Sequence, residues 1–201
     1  MIKTKPFAFA RIGALRSSAR TLLLFEPGRQ RGISLIEGIL YLVLAISVVV
    51  GGIVVFQNAQ LSNRVTETAR GLVAISSETR ALHQNARQFE EADLTAAVVN
   101  AGAVPSNFLN PAGDQINHPW GGLVTIEGDD QQFLIALTDV PSDACVRLTP
   151  VDARGQGVAG VGIAAVSFNG AAPELVPVTP AQAGALCGNQ GTTNIVFTYD
   201  R

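Results

Sequence analysis

The sequence predicts an α+β chain in which a long N-terminal helix, its first half suited to a membrane, packs on a small antiparallel sheet head with short helices. Three observations carry this reading. An uncharged run begins at Gly38 and lasts until Arg64. Helical periodicity then continues, with no proline between Ile33 and Val104. Beyond it, short helical signals alternate with strands and turn residues, the pattern of helices set beside an antiparallel sheet.

Charge is divided along the chain. Seven of the 14 Lys and Arg lie at or before Arg31, whereas Glu26 is the only one of the 16 acids to do so. The first 32 residues therefore carry +6 and the remainder −8, although the whole chain is only −2. Positive charge is retained on the cytoplasmic side of a first hydrophobic span, so the N-terminus is expected inside and the residues after 57 outside. An acidic exported part gives no reason to expect nucleic-acid binding. Residues 1–31 interleave Phe7, Phe9, Ile12, Leu15 and Leu22 to Phe25 with the basic residues. Their longest apolar run is too short for a signal-peptide core or a span. A transit peptide or an amphipathic helix on the inner membrane surface fits the same composition.

From Gly38 to Phe56 only Tyr41 and Ser47 interrupt the apolar run, and its helical length of about 28 Å matches a bilayer core. Glu37 stands at the start of that run, where an ionisable group in hydrocarbon is costly unless paired. Gly51 and Gly52 near its far end fit either close helix packing or a point of local unwinding. Leu61, Val65, Ala69, Leu72, Leu82, Ala86 and Phe89 then recur at helical spacing with charges on the other faces. A single helix is expected from about Ser34 to Phe89, roughly 80 Å long. His83 lies on it with no second metal-type residue at helical spacing and reads as a packing or surface histidine.

The head follows in short elements. Asp93 and Gly102 bracket a second helix. Pro105 to Trp120 is a loop whose Asn residues, Asp114 and His118 read as turn chemistry, since no nucleophile is paired with a base. Leu123 to Glu127 and Phe133 to Thr138 form a hairpin about Gly128-Asp129-Asp130, and two adjacent acids fall short of a calcium loop. A short helix runs from Ser142 to Leu148, a glycine-containing turn covers Gly155 to Gly162, and Ile163 to Phe168 is a strand. That turn lacks the residues of a phosphate loop. Thr179-Pro180 starts a helix that ends at Cys187 and Gly188, and Asn194 to Tyr199 is the last strand.

The two cysteines, Cys145 and Cys187, both lie in the predicted exported part. An even count in an oxidising compartment favours one disulfide, with a pair of buried apolar cysteines as the alternative. The bond would tie the third and fourth helices together. Neither cysteine forms a CxxC, so zinc or redox chemistry has little support.

Arg31-Gly32, then Ile33-Ser34-Leu35-Ile36-Glu37 and the apolar run, resemble the class III signal of type IV prepilins. The long leader, the aliphatic residue after the glycine and the two cysteines resemble the type IVb class. Ala101-Gly102-Ala103-Val104-Pro105, Trp120-Gly121-Gly122 and Val140-Pro141-Ser142-Asp143-Ala144-Cys145 resemble the PilS-like pilins of conjugative thin pili. The resemblance implies a type IV pilin fold. It also implies cleavage by a prepilin peptidase between Gly32 and Ile33, with optional methylation of the new Ile33 amine. Glu37 would then be the assembly residue, pairing with the Ile33 amine of an adjacent identical subunit. The implied domains are a leader over 1–32, a transmembrane assembly helix over 33–57 and an extracytoplasmic head over 58–201. The expected partners are the peptidase, copies of the chain, the inner membrane and the pilus assembly machinery. No enzyme activity, cofactor or metal is expected. The alternatives are a minor pilin, a type II secretion pseudopilin, and more remotely a membrane-tethered enzyme or binding domain.

Overall fold

The computed structural model describes residues 34–188 and 191–201. Contacts group the chain into Met1–Ile46 and Ser47–Arg201. Helix α1 runs from Leu35 to Leu82, and the leader, with Gly32 and Ile33, lies outside the described residues.

The expected helix to Phe89 is corrected: α1 stops at Leu82, and residues 83–88 are turns and bends. The last backbone bonds tighten from four-residue to three-residue spacing, with His83 N–H donating to Arg80 O and Gln84 N–H to Ala81 O. The chain then swings so that Phe89 enters the core and donates its N–H to Asp130 O at 2.7 Å. A continued helix would lose that bridge. In the turn that follows, the carbonyls of Gln84, Ala86 and Arg87 accept from the Arg201 guanidinium.

The buried face of α1 also differs from the expected stripe. Val65, Ala69 and Leu72 are buried as the periodicity predicts, but the stripe continues through Ile75, Ser76 and Thr79, while Leu82 is exposed. The hydroxyls of Thr68 and Thr79 donate to carbonyls one turn back, so these polar side chains are satisfied without leaving the apolar face.

Helix α2, Thr95–Asn100, follows Asp93, whose carboxylate accepts the Thr95 N–H at 2.8 Å. Hydrogen bonds from Thr95 hold that carboxyl below its usual range. Gly102 closes the helix with φ +70°. A single 3-10 turn at Ser106–Phe108 places the Phe108 ring in the core.

The sheet strands are β1 Ile116–Asn117, β2 Leu123–Asp129 and β3 Gln132–Pro141, followed after helix α3, Ser142–Leu148, by a separate ladder of β4 Gln156–Gly157 and β5 Gly160–Val161. Then come β6 Ile163–Phe168, β7 Glu174–Leu175, helix α4 Pro180–Leu186 and β8 Thr192–Asp200. The order β1-β2-β3-β8-β6-β7 is antiparallel at every neighbour, with the C-terminal strand between β3 and β6. Side chains alternate as a one-sided sheet requires: Phe133, Ile135 and Leu137 on β3 and Ile195, Phe197 and Tyr199 on β8 are fully buried.

The hairpin turn falls one residue later than expected. Asp129 pairs with Gln132, Asp130 takes φ 49°, and Gly128 is a strand residue opposite Phe133. Its glycine serves close approach: the Gly128 N–H donates to Ala92 O at 3.0 Å, and a Cβ would collide with the Glu90 carbonyl. The edge strands β1 and β7 and the β4–β5 ladder are two residues long and have too little periodicity to read in advance.

Arg80 ties α1 to the sheet. Its guanidinium donates to the carbonyls of Val161 and Asp200, both at 2.9 Å from Nη2, and lies 5.4 and 5.6 Å from the rings of Phe133 and Tyr199. Burial pushes the Tyr199 phenol up, against the opposing pull of Arg80, and its hydroxyl donates to Ala159 O at 2.8 Å.

Candidate assembly surface

The first turn of α1 is built around Glu37. Ser34 precedes the helix, and its Oγ accepts the Glu37 N–H at 3.2 Å. This gives the helix an N-cap bond and satisfies a donor that helix geometry leaves free. A carboxylate in the first turn also meets the positive end of the helix dipole. One turn on, the Tyr41 hydroxyl donates to Glu37 Oε1 at 3.5 Å. The sequence reading singled out Glu37 but missed Ser34 and Tyr41. The signal for Ser34 was present, since Ser34 and Glu37 have the S-x-x-E spacing of a capping box. Tyr41 is legible only as an i, i+4 neighbour.

Beyond this turn the helix exposes its whole apolar surface. Leu35, Ile36, Ile39, Leu40 and the large side chains on to Phe56 are each more than half exposed. The most apolar 18-residue window of the helix buries nothing. Gly51 and Gly52 continue the helix with open space where a Cβ would stand. Such an extent of exposed hydrocarbon requires lipid or other helices around it.

The head is stapled. Cys145 on α3 and Cys187 at the end of α4 form a disulfide with Cα atoms 5.8 Å apart. Both are buried, and Thr149 and Thr193 hydroxyls bond to the Cys145 and Cys187 carbonyls at 2.9 and 2.8 Å. Helix α4 begins with a full capping box between Thr179 and Gln182. Pairing, position and the two helices it joins agree with the expectation from sequence.

The histidines have structural partners. His83 Nδ1 is 2.9 Å from Thr79 O, and its ring packs 5.0 Å from Phe89. His118 is buried, with Nε2 2.6 Å from Thr138 O and Nδ1 3.3 Å from the Trp120 N–H. The acceptor role of Nδ1 toward that N–H assigns the proton to Nε2, and burial lowers the ring's pKa from its ordinary value. Asn110 organises the loop by accepting from the N–H groups of Asp114 and Gln115 and donating to the Asp114 carboxylate. Among the described residues no group of three or more His, Cys, Asp or Glu is placed to hold a metal.

A family model described as PilS N terminal matches residues 62–200, from the second half of α1 through β8. The chain belongs to the PilS family. This PilS-family chain is 28% identical over 182 residues to the major structural subunit of bundle-forming pilus of Escherichia coli O127:H6, covering 85% of this chain and 93% of that one. The corresponding subunit of Escherichia coli O111:H- is 27% identical over 183 residues, with the same coverage. A match to 85% of the chain exceeds the head alone and takes in part of the N-terminal segment. Among solved structures, the type IVb pilin from Salmonella typhi aligns with TM-score 0.50 and 20% identity, covering 67% of this chain and 99% of that chain. The PilS-family head therefore has a type IVb pilin fold.

Proposed function

We propose that this PilS-family protein is the structural subunit of a type IVb pilus, made as a membrane-held precursor and polymerised through α1. The observation that carries the proposal is the division of that helix. One face of residues 65–79 is packed into the head, whereas 35–56 expose their large apolar side chains. A tether needs only a span, but a polymer of identical subunits gives both halves a purpose: one holds the head and the other packs against copies of itself. Relatives named as major pilus subunits support the same reading.

In this proposal a prepilin peptidase cuts between Gly32 and Ile33, with glycine allowing an extended backbone into a narrow active site. The cut removes the +6 leader and creates an amine at Ile33. Glu37, held at the helix start by Ser34 and Tyr41, then accepts that charge from a neighbouring subunit as the helices leave the inner membrane for the filament. Assembly machinery extracts the protomers, and the heads form the outer wall of an extracellular fibre for adhesion, aggregation or mating contact. Proteomic analysis of fibres sheared from the cell surface tests the subunit role. This chain is expected as their dominant protein; a trace amount in fibres built from another pilin would assign it a minor role instead.

A further inference from the structure

The pilus reading says that α1 packs in the filament core but leaves open how neighbouring heads hold each other. Mature copies repel, because the residues after Gly32 carry −8. A contact between heads therefore needs local opposite charges over an apolar seat.

Two features of the head meet that need. The first is a groove of about 390 Å³ on α1, walled by Val65, Ala69, Val73 and Val158, with Arg70 at its rim. Its volume is in the range that accepts a group of several heavy atoms. Val73 and Val158 are each 46% exposed, and the exposed Arg70 side chain has no hydrogen bond or ion pair among the described residues. The second is edge strand β7. Leu175 is 77% exposed, more than any other large apolar side chain beyond Phe56 among the described residues. Its neighbour Glu174 is exposed and likewise has no hydrogen bond or ion pair among the described residues. A two-residue edge strand with an acid on it resists sheet-to-sheet pairing, so Leu175 is available as a single projecting contact.

We infer that the Glu174–Leu175 edge of one copy docks on the α1 groove of the next, Leu175 seated among Val65, Ala69, Val73 and Val158 and Glu174 paired with Arg70. This rests on the pilus reading and specifies its head contact. The charge complementarity argues for a second copy as the occupant: the rim is cationic on a molecule of net negative charge, and the acid that answers it flanks the highly exposed Leu175. The two surfaces differ, so the contact is heterologous, and such contacts repeat into open helical fibres instead of closing into dimers. One leucine and one ion pair form a small interface. Repetition along a filament already joined by its core helices makes it effective.

The test is charge exchange in the full-length chain expressed with its assembly apparatus. Arg70→Glu and Glu174→Arg are each expected to lower sheared-fibre yield about tenfold, and the double exchange to restore it to within about twofold of wild type. Wild-type yield from either single variant, or a double variant as poor as the singles, overturns the pairing. A folding defect is separated by a second measurement: Val73→Cys with Leu175→Cys is expected to form crosslinked ladders of subunits in intact fibres, and their absence counts against the contact. Failure of the wild type itself to form fibres would instead remove the pilus reading.

Discussion

The Phe108 ring lies over Gly71 so closely that a methyl group on the glycine would stand 2.6 and 2.7 Å from its Cε2 and Cε1 atoms and nearer still to Cζ. Gly71 is therefore the point at which the 3-10 turn after α2 seals against α1. A helical glycine replaced by alanine ordinarily gains about 1 kcal/mol. Here overpacking against a buried ring costs about 1–3 kcal/mol. Gly71→Ala is expected to destabilise the head by up to about 2 kcal/mol in denaturant titrations followed by the fluorescence of Trp120. Gly51→Ala, which meets nothing within 4 Å, is expected to leave that titration unchanged.

Loss of the disulfide is the larger perturbation. Cys145 and Cys187 are 42 residues apart, and closing a loop of that length stabilises by about 4 kcal/mol in the chain-entropy model. Cys145→Ser with Cys187→Ser is expected to lower unfolding free energy by about 2–4 kcal/mol. An unfolding curve identical to wild type would remove the staple from the account.

His118 predicts a pH dependence. Its folded pKa is lowered by burial, so the folded head prefers the neutral ring and the unfolded chain binds the proton first. The stability that this provides is complete above the unfolded value of about 6.5 and is lost as pH falls toward the folded value. Thermal melts are expected to show a lower Tm at pH 5 than at pH 7.5. His118→Gln, which keeps a donor for Thr138 O, is expected to flatten that difference. An unaltered pH slope in the variant would assign the effect to other groups.

Most of the fold was legible because long-period and punctuated signals survive in one sequence. The helix begun at Thr179-Pro180, the Ile163 to Phe168 run and the Ser142 to Leu148 helix agree with the structure almost residue for residue. The misses have a common physical origin in tertiary contacts. Phe89 reads as one more apolar position on a helix until Asp130 and the core claim it. Gly128 reads as a turn until the Glu90 carbonyl is seen against it. Glu37 stood out because a lone carboxylate in an apolar helix is rare. Of its supports, Ser34 stands at the S-x-x-E spacing of a capping box, whereas Tyr41 is an ordinary residue whose role appears only in the geometry of the helix start.

That geometry separates two roles for Glu37. As a helix-start residue it needs only its backbone N–H for Ser34 and an acceptor for Tyr41, both kept by Glu37→Gln. As the counter-charge for an amine it needs the carboxylate. Glu37→Gln and Glu37→Ala are both expected to be processed normally and to assemble at least tenfold less fibre, the loss of an unpaired charge interaction worth a few kcal/mol. Wild-type fibre yield from Glu37→Gln would leave only the local role.

The central claim is that the apolar helix becomes an assembly element when the basic leader is removed. N-terminal sequencing of this chain from sheared surface fibres tests it most directly. The account predicts a single start at Ile33; a start at Met1, or a cut elsewhere that leaves Gly32 attached, would contradict it.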